Sequence, residues 1–60
     1  MQWLTTQRVL HARLLLETTD LAIDEVARRS GFGSATLLRH HFDSEVGVPP
    51  TRYRAAFAQR

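Results

Sequence analysis

The chain has no cysteine and no lysine, and only two prolines and three glycines among its sixty residues. Without cysteine there is no disulfide to staple a small domain, no thiolate for a zinc site and no thiol nucleophile. Apolar runs such as Leu14 to Leu16 fall far short of the roughly 20 residues that cross a bilayer, and no signal-peptide pattern is present. The expected location is therefore cytoplasmic, with no membrane partner. A phosphate loop of the G-x-x-x-x-G-K type is missing, and Gly31-Phe32-Gly33 lacks the third glycine and preceding strand of a dinucleotide fingerprint. So short a chain also encloses no pocket of catalytic size. An enzyme is not expected, and neither is a cofactor.

What remains is a single small domain whose core lies near the lower limit for independent folding. Strand patterning, internal repeats and low-complexity segments are all absent, so the fold class read from the sequence is all-α. Helices are expected at about 3–18, 23–30, 34–45 and 51–58. In the first, Leu4, Val9, Ala12, Leu15 and Leu16 form the side that would cover a core. Trp3, Leu10 and Leu14 form a second stripe on roughly the opposite side. A helix apolar on two sides normally has two neighbours.

Thr18-Thr19-Asp20 ends that helix, with Asp20 expected to accept from the backbone of the connection. Asp24 and Glu25 open the next one, where carboxylates suit the helix dipole. Their adjacency is better explained by that placement than by acid/base catalysis. Val26 and Ala27 sit where a short helix meets its partner. Gly31 follows its last residue, where the backbone turns left-handed, Phe32 drops into the angle, and Ser34 caps a third helix. The result is two short helices hinged at Gly31, the sequence form of a helix-turn-helix.

In the third helix Leu38 and Phe42 share one face, while Ala35, Thr36, Arg39, His40 and Asp43 gather on another. A helix that enters the major groove needs small residues near its start and long donors one turn later. Ala35 and Thr36 meet the first need, Arg39 and His40 the second; Leu37 and Ala35 could touch thymine methyl groups. The same face would also serve as the solvated side of a small bundle. Gly47 and Val48-Pro49-Pro50 then force a turn into a last helix, where Tyr53 and Phe57 pack on the core with Val46 and Val48. Thr51, Arg52 and Arg54 at its start have the make-up of a phosphate clamp, and equally that of ordinary surface residues.

All eight basic residues are Arg, which favours bidentate contact with guanine or phosphate. Residues 1–30 balance four Arg against four acids, whereas residues 31–60 set four Arg against Asp43 and Glu45 alone. The surplus travels with the third helix and the C-terminal segment after it. A net charge of +2 nevertheless predicts weak non-specific binding by this chain alone. Consecutive His40 and His41 point about 100 degrees apart on a helix, His11 lies elsewhere, and no metal site is expected.

Arg8-Val9, Ala12, Leu15-Leu16, Ile23, Val26-Ala27, Gly31-Phe32, Leu38, Phe42, Gly47, Pro49-Pro50 and Tyr53-Arg54 resemble, in type and spacing, the signature of the AraC/XylS family. Gln2-Trp3-Leu4, Leu16-Glu17-Thr18-Thr19-Asp20-Leu21 and Gly31-Phe32-Gly33-Ser34-Ala35 look most like the subgroup with an upstream amidase-like (DJ-1/PfpI-type) sensor domain. The resemblance implies a transcription regulator with two homeodomain-like helix-turn-helix units joined by a long helix. Only the joining helix and the second unit are matched, so the chain is expected to be a fragment of a larger protein. The implied partners are double-stranded DNA, the missing first unit and sensor domain, and RNA polymerase.

His40 departs from the pattern, standing where many family members have Arg. Two functional readings result. In one, Ser34, Ala35, Thr36, Leu37, Arg39, His40 and Asp43 face DNA, with Thr51, Arg52 and Arg54 on phosphates. In the other, the Trp3/Leu10/Leu14 face makes the chain a protein-interaction or dimerisation module, with weak self-association as one outcome.

Overall fold

The computed structural model describes residues 2–58; Met1, Gln59 and Arg60, the last counted in the C-terminal charge surplus, lie outside it. Four helices succeed one another: α1 (Gln2–Thr18), α2 (Ile23–Arg29), α3 (Ala35–Val46) and α4 (Pro50–Ala58). Each boundary falls within a residue of the one expected from sequence. Among the described residues there is no strand.

The core forms where one stripe of each helix converges. Val9, Ala12 and Leu16 come from α1, Val26 and Ala27 from α2, Phe32 from the turn, and Leu38 and Phe42 from α3. Leu15, Leu21, Ile23, Val46 and Tyr53 pack around them. Each fully buried Leu or Phe stabilises the fold by about 1.5–3 kcal/mol. α1 lies against all three other helices, while α3 touches both α2 and α4. Small Ala12 and Ala27, both wholly buried, let the helix backbones approach where they cross.

Leu4 departs from expectation. It is 43% exposed rather than covering the core, and lies about 100 degrees around α1 from the line between Ala12 and Leu16. The opposite stripe stands open as expected, with Trp3 69%, Leu10 46% and Leu14 55% exposed. Asp20 is also displaced from its expected role. Thr19 Oγ1 accepts from the Leu21 N–H at 3.3 Å and donates to the Leu15 carbonyl at 2.7 Å, so the threonine closes the end of α1.

The hinge is a Schellman arrangement. The Phe32 N–H donates to the Ala27 carbonyl at 2.8 Å, and the Gly31 N–H donates to the Arg28 carbonyl at 3.2 Å. Gly31 adopts φ +93°, which a side chain would disfavour. Ser30 beside it is buried, and its hydroxyl donates to the Val26 carbonyl at 2.7 Å, so no polar group is stranded under the turn.

Candidate nucleic-acid interface

α3 begins because Ser34 is extended and its Oγ accepts from the Leu37 N–H at 3.2 Å. Ala35 and Thr36 keep N–H groups with no intrahelical acceptor at that end. The helix stops at Gly47, whose left-handed backbone donates to the Asp43 carbonyl at 2.9 Å. Between these caps Leu38 and Phe42 are wholly buried, and their burial determines which way every other side chain of α3 faces.

Thr36, Leu37, Arg39, His40 and Asp43 are all exposed, and Ala35 is half-buried at the helix start. The structure thus collects the expected α3 residues on one open side, with His40 near its centre and Arg39 toward its flank. Ser44, exposed and four residues after His40, belongs to the same row. Sequence reading misses it, although the spacing Thr36, His40, Ser44 carries the signal. His41 turns inward instead, stacking on Phe32 with centroids 5.5 Å apart. Its ring meets that of His40 edge-on at 5.1 Å. Among the described residues no group of three or more His, Asp or Glu is placed to hold a metal ion.

α4 divides the expected phosphate clamp. Thr51 and Arg52 are exposed at its N-terminus, behind Pro50, whose fixed φ and missing N–H suit the first helical position. Arg54 does not join them. It comes directly after Tyr53 on the side of α4 that packs toward α1, and its Nε and Nη2 are buried without a hydrogen-bond partner among the described residues. Arg54 lines an open cleft of about 320 Å³ with Leu16, Glu17, Thr18, Thr19, Asp20 and Phe57, a volume that the length of the chain did not lead one to expect. The helical period explains the correction: Tyr53 and Phe57 direct one side of α4 inward, and Arg54 is carried with them.

Tyr53 packs on the core as expected, edge-on to Phe42 at 5.3 Å. It also ties α4 to α1. Its hydroxyl donates to Glu17 Oε2 and accepts from Arg13 Nε at 3.2 Å, while the Arg13 guanidinium lies 5.6 Å from the ring centroid. Burial, then the bond to Glu17, pushes the phenol above its ordinary value, with Arg13 opposing. Thr6 adds a tie from α1 to α3 by donating to Glu45 Oε1 at 3.4 Å.

The cations of α2 are committed elsewhere. Glu25 pairs with Arg29 at 2.7 Å and with Arg28 across the adjacent turn of helix. The bonds to Arg29 and then Arg28 hold its carboxyl below the usual value. Arg8 on α1 lies against Gly31, its Nε only 2.9 Å from where a Cβ there would sit.

A family model described as a helix-turn-helix domain matches residues 1–56. The melibiose operon regulatory protein of Escherichia coli strain K12 is 37% identical over 59 residues, covering 98% of this chain and 20% of that protein. The HTH-type transcriptional activator RhaR of Enterobacter sp. strain 638 is 38% identical over 52 residues, 87% of this chain and 18% of that protein. A crystal structure of the DNA-binding domain of AdpA, a global transcriptional factor, in complex with a target DNA superimposes with a TM-score of 0.92 and 57% identity. That match covers 98% of this chain and 54% of the AdpA chain. The present chain spans about a fifth of the length of the curated relatives it matches. With the hinge at Gly31, the capped α3 and this match through residue 56, the chain belongs to the AraC-type helix-turn-helix family.

Proposed function

We propose that this chain is a sequence-specific reader of duplex DNA within a bacterial AraC-type transcription regulator, with α3 lying in the major groove. The observation that carries this reading is the open side of α3. It sets short residues by the capped N-terminus and Arg39 and His40 one turn later, on a helix held rigidly by Leu38 and Phe42. Thr36, Arg39, His40 and Asp43 bear specificity, Ala35 and Leu37 approach thymine methyl groups, and Ser34 lies beside the backbone at the helix start. Thr51 and Arg52 hold register on a phosphate. Arg54 is assigned to the α1–α4 junction.

In the same reading α1 is the joining helix and α2–α3 the second helix-turn-helix unit of a larger protein that acts in the cytoplasm. No described helix is long and apolar enough to cross a membrane. The residues around Gln2-Trp3-Leu4 and Leu16 to Leu21 favour a parent with an upstream amidase-like sensor domain. RNA polymerase is the partner through which such a regulator would act. A second reading is favoured by Trp3, Leu10 and Leu14, which stand open together along α1. It makes that stripe the working surface, for the first unit, the sensor domain or a second copy.

Titration of labelled protein with duplex DNA, monitored by amide shifts, separates the two. The first reading expects saturable shifts at 34–43 and 51–52 that weaken with salt, reduced by Arg39→Ala. It fails if those residues stay still at low salt while Trp3, Leu10 and Leu14 shift with protein concentration.

A further inference from the structure

The cleft between the end of α1 and the inner side of α4, with its volume of about 320 Å³, falls at the lower end of the range taken by small-molecule sites. None of its lining residues belongs to α3, so it stands apart from the open side described above. Its charged groups are Arg54, Glu17 and Asp20. Glu17 is committed through Oε2 to the Tyr53 hydroxyl, whereas Asp20 is exposed and has no hydrogen-bond or ion-pair partner among the described residues. The hydroxyls of Thr18 and Thr19 are spent on the Leu14 and Leu15 carbonyls. Arg54 is the anomaly. Nε and Nη2 form one edge of its planar guanidinium, the edge that meets a carboxylate with two parallel N–H bonds, and both are buried without an acceptor. A buried cation with unmade hydrogen bonds is costly. No hydrogen bond or ion pair holds the head group where it lies, so turning it into the cleft breaks nothing.

We propose that this cleft binds a small zwitterion of the α-amino acid class. Its carboxylate meets the Nε and Nη2 edge of Arg54, its ammonium points to Asp20, and an apolar side chain lies against Leu16 and Phe57. A simple anion is opposed, because two carboxylates line the cleft beside one guanidinium. A simple cation leaves Arg54 unpaired. A molecule that carries both charges a few atoms apart answers both groups at once and leaves Glu17 with Tyr53. The volume of about 320 Å³ has room for roughly ten groups the size of a water molecule, which suits a branched or aromatic amino acid. This inference is independent of the DNA reading.

The test titrates the full sixty-residue chain with L-valine, L-leucine and L-phenylalanine at about pH 7, where both ligand charges are present. Backbone amides and the Arg54 Nε–H are followed by NMR. At least one amino acid should give saturable shifts at 16–20 and 54–57 with Kd of about a millimolar, and none at 34–43. Its amide, which lacks the carboxylate, and its N-acetyl form, which lacks the ammonium, should each bind roughly tenfold more weakly. Asp20→Asn should weaken the amino acid but not the N-acetyl form, and Arg54→Gln should abolish binding, with circular dichroism checking that both variants keep their helices. If Arg54→Gln does not fold, the derivative series on the unaltered chain decides. No saturable shift with any of the three up to about 50 mM, or equal affinity for an amino acid and its amide, overturns the inference. So does an Arg54 Nε–H already protected from exchange in the free chain and released by Asp20→Asn, since Asp20 would then complete the cleft by itself.

Discussion

Replacing Gly31 by alanine tests the hinge on two independent grounds. The residue sits at φ +93°, where an L side chain costs about 1–2 kcal/mol. A Cβ there would also lie 2.9 Å from Arg8 Nε and 3.2 Å from its Cδ, so the Arg8 stem must lift from the turn. Arg8 is long and flexible, which holds this second contribution to about 1 kcal/mol or less. Gly47→Ala is the control: it has φ +94° but open space around the added Cβ, so it bears the backbone cost alone. For a domain expected to be stable by only about 3–9 kcal/mol, Gly31→Ala should remove about 1.5–3 kcal/mol and lower Tm by about 10–20 °C. Urea and thermal unfolding by circular dichroism give both values. Arg8→Ala in the Gly31→Ala background should recover the clash contribution, and a double-mutant cycle isolates it at about 0.5 kcal/mol or more. Equal losses for Gly31→Ala and Gly47→Ala, with no coupling to Arg8, would refute the argument.

Ser34→Ala removes the acceptor for the Leu37 N–H and should cost about 1 kcal/mol in urea unfolding, whereas Ser34→Gly should cost only a few tenths. Arg52→Ala should reduce the slope of log affinity against log salt by about one, while Arg54→Ala leaves that slope unchanged, because the Arg54 side chain lies at the α1–α4 junction. Tyr53 is the sole tyrosine, so tyrosinate absorbance reports it directly, and its midpoint in the folded chain should lie above the ordinary 10.0. A raised folded value means that the contribution to stability is complete below the unfolded value and is lost as pH rises through the folded one; alkaline unfolding should track that titration, and a midpoint at or below the ordinary value would refute the placement. Glu25, held low by Arg29 and Arg28, should behave oppositely: its contribution is present above 4.5 and is lost as pH falls through the lowered folded value, as carboxyl NMR shifts would show.

Local chemistry makes most of this fold legible. Gly31, Ser34, Gly47 and Pro50 act within a turn of their own positions, so the four helices and their ends can be read in order. The open face of α3 is legible for the same reason: Leu38 and Phe42 are four apart, and burying them leaves Thr36, His40 and Asp43 outside. Leu4 is misassigned from sequence because a helix seventeen residues long with apolar side chains most of the way round has no single dominant face, and only its neighbours decide which stripe is used.

Sequence alone determined the helical class, the hinge, and the caps and open side of α3, since each depends on residues within about four positions of one another. Tertiary structure decided which cations are available to a partner. Arg13 is held by Tyr53 and Arg54 is turned into the α1–α4 junction, whereas Arg39 and Arg52 remain exposed; the pairing of Glu25 with Arg28 and Arg29, three and four residues on, is local to α2. The Tyr53 tie to Glu17 joins residues thirty-six apart in sequence. Such pairings arise from how α4 docks on α1, and docking depends on the complementarity of whole surfaces, which a reading of adjacent residues does not contain.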